Sequence, residues 1–147
     1  TLPNAQNARL LREITIVLGR LRWRDTADWL KKTLENADDT WQHAALGALR
    51  RADNWPAVLR LLNEPMDSPI RRVAVRALAD RHETDVVDAM LRRSTEAADP
   101  SHRREAVELL TRVYKKPGPW KYWGYRPGPR PANSEPWERT DAIVKAL

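Results

Sequence analysis

Asp67-Ser68-Pro69-Ile70-Arg71-Arg72-Val73-Ala74-Val75-Arg76-Ala77-Leu78 is the stretch whose reading decides the fold. Its apolar residues Ile70, Ala74, Ala77 and Leu78 stand at +3, +7, +10 and +11 from Asp67, which places them on one face of a helix with about 3.6 residues per turn. Ser68 before Pro69 reads as an N-cap followed by proline at the first helical position. The same register recurs in Asn7–Leu18, in Asp38–Leu49 and in Asp99–Leu110, with starts 31, 29 and 32 residues apart. Ala45, Ala74 and Ala106 at +7 are small enough for neighbouring helices to approach closely. Leu18, Leu49, Leu78 and Leu110 at +11 fill the layer between them. His102 occupies the apolar +3 position of the fourth copy, so that copy diverges or exposes its first turn. Asp38 or Asp39, Ser68 and Asp99 are the expected caps.

A second helix is expected after each of the first three copies. Trp29, Leu30 and Leu34 give one apolar face; Val58, Leu59, Leu61 and Leu62 the next; Val86, Val87, Met90 and Leu91 the third. Asp25-Thr26, Asp53-Asn54 and Glu83-Thr84 precede them as capping candidates. The unit is therefore helix–turn–helix, about 30 residues long, repeated in tandem. No stretch alternates with period two for long enough to predict a strand.

On these residues, and most specifically on the Asp-x-x-Ile-Arg-x-x-Ala-x-x-Ala-Leu pattern at 67–78, residues 5–114 resemble HEAT repeats. The short period is similar to the HEAT variety of phycobiliprotein lyases. The resemblance implies an all-α, right-handed α-solenoid of about four helix pairs that acts chiefly as a binding surface. Residues 1–147 are then one HEAT-like domain: repeats over 5–114, a loop over 115–136 and a terminal helix over 137–147.

The repeat stops at Tyr114. Residues 115–136 hold six of the 11 prolines and three of the five glycines, a composition that excludes helix and favours turns and polyproline II. Ser134 is the expected cap of a final amphipathic segment whose apolar side is Trp137, Ile143, Val144 and Leu147. Within the loop, Trp120, Tyr122, Trp123 and Tyr125 are interleaved with Lys115, Lys116, Lys121, Arg126 and Arg130. Two readings follow. The rings fold back to close the open end of the solenoid, with cations stacked on them, or they form an exposed surface for bases, sugars, an acidic peptide or another domain. The Gly-Tyr-Arg-Pro-x-Pro-Arg-Pro-Ala-Asn run at 124–133 resembles HEAT segments of large exported bacterial proteins. Those also carry sugar-dehydrogenase-like propellers and c-type cytochrome modules. That resemblance implies an exported spacer or docking module, although no Cys-x-x-Cys-His is present to bind haem.

The 147 residues carry 26 basic and 20 acidic side chains, a net charge of +6, and no cysteine. A disulfide scaffold, a thiol nucleophile and a thiolate zinc site are excluded, and no apolar run approaches the length of a membrane span. Residues 1–114 nearly balance, 19 basic to 17 acidic, whereas 115–147 carry 7 to 3. A first residue of Thr rather than Met leads to the expectation of a longer parent protein. His43, His82 and His102 lack metal-ligand spacing, and no phosphate loop or nucleophile elbow occurs, so no enzyme activity, metal or cofactor is expected. Lys31, Lys32, Arg60, Arg92 and Arg93 recur toward the ends of the second helices. They either offset helix macrodipoles or line a concave basic groove along a nucleic-acid backbone, as in the HEAT-like DNA-base glycosylases. The expected function is a non-enzymatic protein-interaction or scaffolding module of a multidomain protein, with nucleic-acid binding as the alternative. The candidate surface is Lys31, Lys32, Arg60, Arg92, Arg93, Trp120, Tyr122, Trp123, Tyr125, Arg126 and Arg130.

Overall fold

A computed structural model describes residues 5–147, with the side chains of 7–147. The chain is mostly helical and divides into two compact units, one ending at Ala79 and one spanning Asp80–Leu147.

In the first unit the helices are α1 (Ala5–Arg20), α2 (Thr26–Thr33), α3 (Asp39–Ala52), α4 (Trp55–Arg60) and α5 (Pro69–Leu78), with a 3₁₀ turn at Leu61–Asn63. α3 packs between α1 and α5, while α2 and α4 fill in behind their neighbours. The register read from the sequence is the buried face in both α3 and α5. Trp41, Ala45, Ala48 and Leu49 are buried, as are Ile70, Ala74, Ala77 and Leu78. Close approach has a specific cause. A Cβ on Gly19 would lie 2.7 Å from the Ala48 Cα, so only glycine lets α1 meet α3 at this separation. Beside that contact the buried Trp41 indole donates from Nε1 to Thr15 Oγ1 at 2.9 Å, and Thr15 donates in turn to Leu11 O at 2.8 Å.

The first helices end alike. Arg22, Asp53 and Asp80 each take a left-handed conformation, with φ of 51°, 55° and 60°. None is glycine, so the sequence carried no signal for this repeated stop. Of the expected caps, Asp38 accepts from Trp41 N at 2.7 Å and Asp99 from Ser101 N at 2.8 Å. Ser68, Asp25, Asn54 and Glu83 hold the N-cap positions without a side-chain cap bond.

The second unit contains α6 (Thr84–Glu96), α7 (Pro100–Thr111) and α8 (Thr140–Ala146), packed together. Ala106, Leu109 and Leu110 of α7 are buried as the register requires, and His102 is only half-buried. Between α7 and α8 the sequence reading needs correction, because strands form where none was expected. β1 (Lys116–Pro117) pairs antiparallel with β4 (Asn133–Glu135), and β2 (Tyr122–Trp123) with β3 (Arg126–Pro127). These ladders are two or three residues long, too short to leave a period in the sequence. Ser134 is part of β4 rather than a cap, and α8 starts only at Thr140. Trp137 lies before α8, donating from Nε1 to Val113 O at 2.8 Å. Of the expected apolar side of the last helix only Ile143 is buried; Val144 and Leu147 face solvent.

Candidate interaction surfaces

The cations of the second helices are interleaved with acids. Lys31 Nζ lies 2.6 Å from Glu64 Oε1, and Arg60 Nη2 lies 3.9 Å from Asp28 Oδ2. Lys31, Lys32, Arg60 and Arg93 all stand in last helical turns, where a positive charge is favoured by the carbonyl end of the dipole. Arg92 is exposed beside Arg93 on α6. One cation that the sequence reading passed over does this work directly. Arg50 of α3 donates to the carbonyls of Arg76 at 2.8 Å, Ala77 at 3.2 Å and Ala79 at 3.2 Å, closing the end of α5.

The aromatic loop is a built hairpin. Trp123 pairs with Arg126 across the two-residue turn Gly124-Tyr125, and the positive φ of 66° at Gly124 alone is the type II′ pattern. Gly128 N donates to Lys121 O at 2.7 Å. A Cβ on Gly128 would fall 3.0 Å from that same oxygen and 3.5 Å from Trp123 Nε1, so glycine lets the strands close beneath the indole. The reading of these rings as a cover is corrected here. Trp120, Tyr122, Trp123 and Tyr125 are 51%, 68%, 69% and 86% exposed. The anchoring ring is Trp137 instead, edge-on to His82 at 5.5 Å with Lys116 Nζ 4.5 Å from its centroid. His82 Nε2 bonds to Lys115 O at 2.9 Å, so this histidine holds the root of the hairpin. Arg126 stacks on Tyr125 at 5.4 Å; Arg130 is exposed.

Two ion pairs brace the second unit. Arg112 grips Asp80 with bonds of 3.0 and 2.8 Å, and Arg139 grips Asp88 with bonds of 2.8 and 3.0 Å. Hydrogen bonding to each carboxylate raises the pKa of both guanidinium groups. At α7, Asp99 is held below the usual carboxylate range, first by the Ser101 hydroxyl and then by the Ser101 amide.

A surface not singled out in the sequence lies on α1. In α3, the +3 and +10 residues Trp41 and Ala48 face the preceding helix, against Thr15 and Gly19. In α1 the equivalent residues Leu10 and Val17 are 59% and 49% exposed, with Ile14 half-buried between them and Leu21 71% exposed one turn on. The missed signal was the register itself: Leu10 and Val17 stand at the +3 and +10 positions that are buried in α3. On another side of α1, a groove of about 480 Å³ runs between α1 and α3, its lining including Arg12, Glu13, Ile16, Arg20, His43 and Arg51. Among the described residues no group of three or more His, Asp or Glu side chains is placed to hold a metal ion.

No family model, curated protein or solved structure matches the chain.

Proposed function

We propose that this chain is a segment of HEAT-like α-solenoid serving as a non-enzymatic interaction module, and that it receives a partner's amphipathic helix on the backward face of α1. One observation carries this reading. Leu10 and Val17 occupy the positions by which α3 seats itself on α1, yet among the described residues they are left exposed. A helix laid there would continue the existing series of α1, α3 and α5. It would bury an apolar stripe about three turns long, the pattern of helix-in-groove recognition. The partner needs small residues on its contact face, as α1 offers Thr15 and Gly19 to α3. The acidic residues interleaved with Lys31 and Arg60 favour this reading over a nucleic-acid groove, since a phosphate-tracking stripe requires uncompensated cations.

The test uses a hydrocarbon-stapled peptide of residues 5–20 as the helix probe, labelled with fluorescein. The stapling offsets the marginal helicity of a short peptide. Its anisotropy should rise on titration with the full chain and remain flat with the Val17→Asp/Leu21→Asp variant. Val17 and Leu21 are 49% and 71% exposed, so far-UV circular dichroism of the variant should match the parent. Equal binding by parent and variant, or none by the parent, refutes helix docking on α1. A concentration-dependent dimer abolished by the same substitutions would assign the face to a second copy and also refute it.

A further inference from the structure

From Lys115 to Ser134 the chain carries five cations and no acidic residue, whereas the remainder of residues 80–147 carries eight basic and eleven acidic side chains. This one segment therefore bears the positive charge of an otherwise acidic unit, and it also holds the most exposed aromatic rings. The geometry restricts what such a segment can bind. Tyr122 and Trp123 are consecutive in β2, so they project from opposite faces of the hairpin, and both are about two-thirds exposed. Tyr125 stands at the turn, 86% exposed. A single-stranded nucleic acid or a sugar needs rings gathered on one side as a stacking platform. Rings that radiate from a tip are covered together only by a medium that surrounds the tip.

We propose that the 119–131 hairpin is an interfacial anchor for bilayers rich in anionic lipid. Trp and Tyr each join an apolar ring to one polar atom, which suits the headgroup boundary rather than the hydrocarbon interior. Lys121, Arg126 and Arg130 are exposed on the same hairpin, at the level where lipid phosphates lie once the tip is seated. Beside Trp123 a notch of about 240 Å³, lined by Pro119, Gly128, Pro129 and Pro131 with Lys121, is of headgroup size. The hairpin is already ordered by its II′ turn, the Gly128–Lys121 bond and four prolines, so little ordering cost opposes binding. This inference is independent of helix docking on α1.

The experiment is flotation of the full chain with vesicles of phosphatidylcholine containing 30 mol% phosphatidylserine (about the anionic content of a charged leaflet), against pure phosphatidylcholine, at low salt. The chain should float with the anionic vesicles alone and be released by high salt. Lys121→Gln/Arg126→Gln/Arg130→Gln should lower the partition coefficient roughly a hundredfold, at about a fivefold loss per cation. Tyr125→Ser should lower it severalfold. Tyr125 is 86% exposed at the turn, with Arg126 over its ring, so this variant keeps the hairpin and isolates the aromatic contribution. Absence of flotation by the parent chain, or failure of either variant to weaken it, overturns the proposal. Binding of labelled oligo(dT) at the same salt without flotation also overturns it, and assigns the hairpin to single-stranded nucleic acid.

Discussion

Two glycines lie within helices of the first unit, and the packing gives their replacement by alanine opposite signs. Gly19→Ala would set a methyl 2.7 Å from the Ala48 Cα and 3.0 Å from its Cβ. The closer contact involves backbone, so relief requires α1 to move away from α3 by about 0.7 Å to regain ordinary van der Waals distance. That movement would also stretch the 2.9 Å bond from Trp41 to Thr15. Overpacking of this kind costs about 1–3 kcal/mol. The helix-propensity gain of alanine over glycine, at most about 1 kcal/mol, is diminished in a last helical turn. The expected balance is a loss of about 1–2 kcal/mol. Gly47→Ala is the control. It lies inside α3 with nothing within 4 Å of an added Cβ, so it should gain about 0.5–1 kcal/mol. Urea denaturation followed by tryptophan fluorescence reads both. With a slope of about 1–3 kcal/mol per molar, the two midpoints should move in opposite directions and separate by about 1 M. If both substitutions shift the midpoint upward, the close seating of α1 on α3 is refuted.

Other substitutions address other elements. Trp41→Phe keeps most of the buried ring but loses the donor to Thr15, and should cost about 1–2 kcal/mol by the same urea measurement. Ile143→Ala empties the one fully buried position of α8; a loss of about 2–4 kcal/mol is expected for that helix's docking, seen as faster amide exchange in 140–146 than in α6. The Asp99 carboxyl has its folded pKa depressed by Ser101, below an unfolded value near 3.9. Its contribution is therefore complete above that value and is lost as pH falls through the folded pKa. Asp99→Asn should lower the melting temperature at pH 7 and flatten its fall as the pH drops below the unfolded carboxylate value; an unchanged acid limb would exclude this cap as a source of acid sensitivity.

The helical repeat was legible because burial in a helix stack is periodic. Ile70, Ala74, Ala77 and Leu78 announce their face by spacing alone, and Asp38 and Asp99 announce caps by chemistry. The hairpin was illegible because ladders of two residues leave no period, and its order rests on a positive φ at Gly124 and a close approach at Gly128. Residue type also misassigned its rings. Exposed and anchoring aromatics have the same composition, and only the path of the chain made Trp137 the anchor and left Tyr125 in solvent. Arg50 shows the same limit: a cation at a helix end reads as a local dipole partner, yet its three acceptors belong to the next helix 26 to 29 residues on.

The sequence by itself determined helix pairs, their period and the inward face, since each follows from contacts between residues three to four apart. Tertiary structure alone decided which faces remain uncovered. Leu10 and Val17 carry the same code as Trp41 and Ala48, but burial is a property of neighbours, and among the described residues these two stay exposed.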